Sequence, residues 1–191
     1  MALLFVLLCI LSHSDEPIYR GPQCLGMFCV NQSVALADLT AQIGTPERRL
    51  RELCFQSADG GVYLSIRTIH NMPNRAGAVL LSDFPSCLGM AARVTERGKL
   101  NWTTKEGIGL GSHEEEVRRL YGKPYAEEKV SSRTCSVLLQ QSCSPMGKDI
   151  VIGDRSLFYS GLQFGTKDDY ASAQIGLRGS RVSWILLSTG E

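Results

Sequence analysis

Aromatic side chains are scarce in this chain, at 7% of 191 residues, so a base-stacking platform for single-stranded nucleic acid is not expected. Neither sign of charge dominates. Twenty Lys and Arg against nineteen Asp and Glu leave a formal charge of +1, without the concentrated positive field that nucleic acid or an anionic membrane needs. There are three histidines, His13, His70 and His113, too few and too scattered for a histidine metal site. No Cys-x-x-Cys, P-loop lysine or Gly-x-Ser-x-Gly elbow occurs, which removes the commonest zinc, nucleotide and serine-hydrolase signatures. No cofactor is expected.

Long apolar runs are also missing, with one exception. Ala2 to Leu11 is an unbroken apolar run, shorter than the ~20 residues that span a bilayer. Ser12 and Ser14 supply the small residues of a signal-peptidase site, so residues 1–14 read as an export signal cleaved before Asp15. No stable transmembrane segment is then expected in the mature chain. Residues 15–23, polar and carrying two prolines, read as an extended leader.

Seven cysteines are present. Removing the segment that holds Cys9 leaves Cys24, Cys29, Cys54, Cys87, Cys135 and Cys143. An even set in an exported chain predicts disulfides. The pairing Cys24–Cys29, Cys54–Cys87 and Cys135–Cys143 staples each neighbourhood to itself, although a cross-pairing such as Cys29–Cys54 is not excluded by sequence.

What remains is a phrase that occurs twice. In the first copy, Leu36, Leu39 and Ile43 fall on one helical stripe across 34–43, with Asn31 or Ser33 as the cap and Gly44-Thr-Pro46 as the stop. Leu53-Cys-Phe55 and Val62 to Ile66 then form a hairpin about Asp59-Gly60, Asn71 to Arg75 reads as a loop, and Ala78 to Ser82 as a strand. In the second copy, Ser112 and Glu115 are spaced as a capping box for a helix ending at Tyr121, and Gly122-Lys-Pro124 stops it. Strands follow at Val151-Ile152, 156–164, 171–177 and 181–188, the last two joined by the turn Arg178-Gly-Ser180. The predicted fold is α+β. It has two tandem modules, 24–88 and 105–191, joined by a linker at 89–104. Each module is a short helix followed by an antiparallel meander, and the two sheets can join into one curved surface.

Two constellations invite chemistry. Ser112-His-Glu-Glu-Glu116 lacks the second histidine of a zinc protease, since position 117 is valine, and reads as a helix start with acids at its positive end. Gly107-Ile-Gly-Leu-Gly111 has glycines before a helix but neither lysine nor full dinucleotide spacing, and reads as a tight turn. Neither makes an active site, so no catalytic or metal residue is assigned. A sheet with helices on one side leaves the other face open, so Tyr159, Phe164, Tyr170 and Trp184 are either core, the default for such rings, or exposed contact residues there. Tyr63, Tyr159, Phe164 and Trp184 are the candidates for contacting a partner.

The runs Gly107 to Ser112, Val117-Arg-Arg-Leu-Tyr-Gly-Lys-Pro124 and Trp184-Ile-Leu-Leu-Ser188 resemble exported bacterial proteins of the SmpA/OmlA type and of the β-lactamase-inhibitor-protein type. Asn31, Gly44-Thr-Pro46 and Val79-Leu-Leu-Ser82 resemble them less closely. The resemblance implies a periplasmic or secreted, non-enzymatic protein whose joined sheets grip another protein, or else an envelope assembly factor. It carries over no functional residue. A hydrolase using His113 and a nearby carboxylate is the third expectation.

Overall fold

A computed structural model describes residues 21–30, 34–44, 47–49, 52–69, 71–85, 92–93, 102–130, 153–163 and 170–189. The expected export signal, His70, Cys87, Cys135, Cys143, Val151-Ile152, Phe164 and most of the expected linker lie outside them.

The described chain opens with a small hairpin, β1 (Cys24–Leu25) and β2 (Phe28–Cys29), turning at Gly26-Met27. Cys24 faces Cys29 across it and the two form a disulfide, with Cα atoms 4.0 Å apart. Leu25 and Phe28 point the other way, into the core, and neither is accessible to solvent. Helix α1 (Leu36–Ile43) follows, with Leu39 and Ile43 buried as the stripe predicts. Its N-cap is Ala35, not Asn31 or Ser33, and no side chain caps it. The Ala35 backbone bridges Arg75, so the helix start is held by a strand rather than by a hydroxyl. Gly44, at φ 100°, leaves the helix in the left-handed region and donates its N–H to Thr40.

Next come β3 (Glu47–Arg49), β4 (Glu52–Gln56), β5 (Tyr63–Ile69), β6 (Met72–Ser82) and the short β7 (Ala92–Arg93), which pairs parallel to β4. The β4–β5 hairpin forms where Asp59-Gly60 signals it: Asp59 Oδ1 accepts the Gly61 N–H at 3.1 Å, and Ser57 donates its N–H to the Val62 carbonyl at 2.8 Å. The segment expected to loop, Asn71 to Arg75, is mostly strand. Residues 72–75 are the exposed first part of β6: Met72 pairs with Ile69 of β5, and the register shifts across 73–75 before Ala76 pairs with Thr68.

Helix α2 (Glu114–Tyr121) buries Val117 and Tyr121 and ends at Gly122, φ 74°. The capping box is not made: His113 is the N-cap without a side-chain bond, and the Ser112 hydroxyl instead accepts the Gly109 N–H at 3.0 Å. The remaining strands are β8 (Ala126–Lys129), β9 (Arg155–Gln163), β10 (Tyr170–Arg178) and β11 (Arg181–Thr189).

These strands make one sheet in the order β3-β4-β5-β6-β11-β10-β9-β8, with every neighbouring pair antiparallel. The seam between its two ends is β6 against β11, from Trp184 opposite Ser82 to Ser188 opposite Ala78. One face carries both helices and the larger core, including Leu64, Ile66, Val79, Leu157, Ile175 and Ile185. The other face is not open at its centre. Leu80, Phe84, Trp184 and Leu186 form a second buried cluster there.

Strict alternation along β11 puts Val182, Trp184 and Leu186 on one face. The structure moves Val182 to the helix side. Gly176 pairs with Trp184 and Leu177 with Val182, so Ser183 is an extra residue, and a bulge of this kind inverts the side-chain order beyond it.

Candidate functional site

The four aromatic residues expected to meet a partner do not form an exposed set. Trp184 is 1% accessible and Tyr159 3%, so neither ring is offered to solvent. Trp184 is buried because its indole lies directly over Gly176 on the neighbouring strand, in the space that a Cβ would occupy. Tyr159 points to the helix face. Its ring meets Tyr121 edge-on at 5.9 Å, its hydroxyl donates to the Gly122 carbonyl at 3.4 Å, and burial pushes the phenol up to about 12. Tyr63 is half-buried and accepts a hydrogen bond from Gln56 Nε2 at 3.0 Å. Phe164 is outside the described residues. The face reading therefore fails for Tyr159 and Trp184, because the second cluster and α2 consume those rings as core.

The groups with most electrostatic content lie where α2 meets β8 and β9. Glu114, 15% accessible at its side chain, binds Arg155 Nη2 at 2.6 Å and Arg118 Nη2 at 2.8 Å, and Arg118 Nη1 reaches Glu127 at 2.9 Å. Burial pushes the Glu114 carboxyl up, but the hydrogen bonds from Arg155 and Arg118 outweigh it and hold the group below its ordinary value. The hydrogen bond from Arg118 lowers Glu127 in the same way. Two guanidinium groups and two carboxylates cancel one another, which suits a clamp on the helix better than an acid or base. A second clamp sits at the other end of α2. The Tyr121 hydroxyl stands 2.6 Å from Thr104 Oγ1 and 2.7 Å from Glu106 Oε2, and Thr104 Oγ1 accepts the Ile108 N–H at 3.1 Å.

His113 is exposed, and among the described residues no hydrogen bond joins its side chain to a carboxylate or hydroxyl. Among the described residues, no group of three or more His, Cys, Asp or Glu is arranged to hold a metal ion. No helix among them is long and apolar enough to cross a membrane. Cys54 is buried in β4 and disulfide-bonded; the expected pairings to Cys87 and between Cys135 and Cys143 fall outside the described residues.

Among the described residues, three solvent-facing features could meet a ligand or partner. The first is an open cavity of about 380 Å³ between the Cys24–Cys29 disulfide, Trp102 and Lys105. Here Gly26, at φ +57°, lets the hairpin press against the Trp102 ring, which lies 2.5 Å from where a Cβ would stand. The second is the outer end of the β5–β6 hairpin. Asn71, Met72, Pro73, Asn74 and Arg75 are all exposed, with Met72 52% accessible. The third is Tyr125, 82% accessible, at the entry to β8. Its backbone is fixed: its N–H bonds the Phe158 carbonyl at 2.8 Å, and Pro124 beside it is buried. Sequence reasoning passed over Met72 and Tyr125. The available signal was a single large apolar residue in a polar stretch beside proline.

No protein-family model matches the chain, and no curated protein matches it. Among solved structures, a DUF4309 family protein (YjgB) from Bacillus subtilis subsp. subtilis str. 168 is similar at a TM-score of 0.37 and 14% identity, covering 81% of this chain and 78% of that one. That likeness is too slight to assign this chain to a family.

Proposed function

We propose that this chain is an exported, disulfide-stapled, non-enzymatic protein-binding module that contacts its partner through the projecting end of the β5–β6 hairpin. The observation that carries the reading is the division of β6. Its last seven residues are buried, while its first four, Met72 to Arg75, are exposed on both faces. This projecting end is not a loose loop. Ile69 pairs with Met72, Thr68 pairs with Ala76, and the Arg75 backbone bridges Ala35 ahead of α1. An exposed apolar side chain on a backbone already held in place loses little entropy when a partner covers it. Methionine adapts readily to the surface it meets.

The element order supports two related modules, 24–88 and 105–191. Among the described residues helix α1 precedes the four strands β3 to β6 and the short β7, and helix α2 precedes the four strands β8 to β11. The sheet order 3-4-5-6 continues as 11-10-9-8, a mirrored arrangement about the β6–β11 seam. Gly-x-Pro follows both helices. Export is supported by the disulfide at Cys24–Cys29, since such bonds persist in oxidising compartments.

The test places a photo-crosslinking residue at Met72 and, as a control, at the exposed Glu115 on α2, in cells that make the protein. A discrete adduct is expected from position 72 alone. Excess unlabelled protein should compete it away, and a Met72→Asp, Arg75→Glu variant should not. Equal labelling from both positions would count against the reading, as would competition by the variant.

A further inference from the structure

Among the described residues, one end of the sheet is a strand with no neighbour on its outer hydrogen-bonding side. Val130 donates its N–H to the Asp154 carbonyl at 2.9 Å, and the ladder continues with Glu128 opposite Ser156 and Ala126 opposite Phe158. Backbone bonding alternates along an antiparallel pair. Ala126, Glu128 and Val130 therefore direct their backbone groups at β9, while Glu127 and Lys129 direct theirs outward. Among the described residues no strand lies on that side, and Glu127, Glu128 and Lys129 are exposed. The side chains alternate as well. Glu127 and Lys129 lie on the helix face, where Glu127 meets Arg118. Ala126 and Glu128 lie on the opposite face, where Val130 packs against the second cluster.

We propose that a second copy of this chain adds to this edge, β8 against β8, antiparallel about a two-fold axis through Glu128. The outward backbone of Glu127 then meets that of Lys129 in the second copy, and Lys129 meets Glu127, each pair exchanging two N–H···O bonds. The charge order selects the partner. On the helix face both facing pairs are Glu against Lys, and on the other face Ala126 meets Val130 twice. One like-charged contact remains, Glu128 against its own copy at the axis. Moving the axis to Glu127 or to Lys129 sets like charges face to face and forms no ion pair. An axis between residues brings outward backbone groups against inward ones. Short charged edge strands ordinarily repel other strands. Here the order of charges is self-complementary, so the same residues that reject most strands admit this one. The small contact area implies a weak dimer that depends on concentration.

Sedimentation velocity from about 1 µM to about 1 mM spans the relevant affinity range. A monomer–dimer equilibrium is expected. Lys129→Glu and Glu127→Lys should each weaken it by about tenfold or more, because two facing pairs become repulsive. An equimolar mixture of the two variants should dimerise again, since both facing pairs are then of opposite sign. Recovery in the mixture also shows that Glu127→Lys, which breaks the Arg118 contact, still folds. Glu128→Gln should tighten the dimer several-fold by removing the repulsion at the axis. The proposal is overturned by a monomer across the whole range, by a dimer indifferent to Lys129→Glu, or by a mixture that stays as weak as its components. It is independent of the reading of the β5–β6 hairpin.

Discussion

Gly176 offers the sharpest test of how the second face is packed. A Cβ built there would lie closer to Trp184 Nε1, Cε2 and Cδ1 than non-bonded atoms can approach. The indole cannot simply swing aside, because it is 1% accessible and clustered with Leu80, Phe84 and Leu186. Gly176→Ala is therefore an overpacking substitution, expected to cost about 1–3 kcal/mol. Alanine is itself the better strand residue by about 0.5–1 kcal/mol, so the steric cost alone exceeds the measured one. Trp184→Ala should cost about 3–5 kcal/mol through the space it leaves. In that background the alanine at 176 meets no ring, and its effect should vanish or turn slightly stabilising. The double-mutant cycle should then show about 1–4 kcal/mol of coupling, with the double variant less damaged than the sum of the two singles. Urea denaturation followed by far-UV circular dichroism suits the measurement, because removing Trp184 changes the fluorescence. If Gly176→Ala costs under about 0.5 kcal/mol, or costs the same with and without the indole, the ring does not cover Gly176 and the account of the second face is wrong.

Two further predictions concern the clamps on α2. Tyr121→Phe removes the hydroxyl shared by Thr104 and Glu106 and should lower stability by about 1–2 kcal/mol in thermal or urea unfolding; an unchanged midpoint would mean that the contact contributes nothing. Glu114 and Glu127 have folded values below the ordinary carboxylate value of about 4.3. Their contribution is thus complete above that value and lost as pH falls through the lower folded values. Glu114→Gln should cost about 1–3 kcal/mol at pH 7 and flatten the acid side of the stability profile. A variant that loses stability on acidification as steeply as the parent would remove Glu114 from that role.

The parts of the fold legible in the sequence are those fixed by local chemistry. Gly44 and Gly122 announce helix ends because a left-handed residue must follow each helix. Asp59-Gly60 and Arg178-Gly-Ser180 announce hairpins because the chain must reverse there. What escaped depends on distant partners. Residues 73–75 are Pro-Asn-Arg, so nothing local marks them as strand; they extend β6 because β5 pairs on either side of them, at Met72 and at Ala76. Ala126-Glu-Glu-Lys129 shows no apolar alternation and becomes β8 only through β9. Val182 changes face because Ser183 is an extra residue against β10, which the alternation of β11 alone does not reveal. Which aromatic rings are core and which are surface is hidden for the same reason. Tyr159 and Trp184 look like exposed anchors until α2 and Gly176 are seen beside them.

The place of β11 in the sheet has a consequence for how the molecule is made. It follows every other described strand in the sequence, yet it lies in the middle of the sheet, between β6 and β10. As the polypeptide emerges from the ribosome or from a translocation pore, β6 has β5 on one side and nothing on the other until β11 arrives. Closing that seam joins residues about a hundred positions apart, a slow step in folding. For that interval the apolar residues Val79, Leu80 and Leu81 are an unprotected edge. The chain is most open to aggregation, and to capture by a chaperone, in the moments before its last described strand is complete.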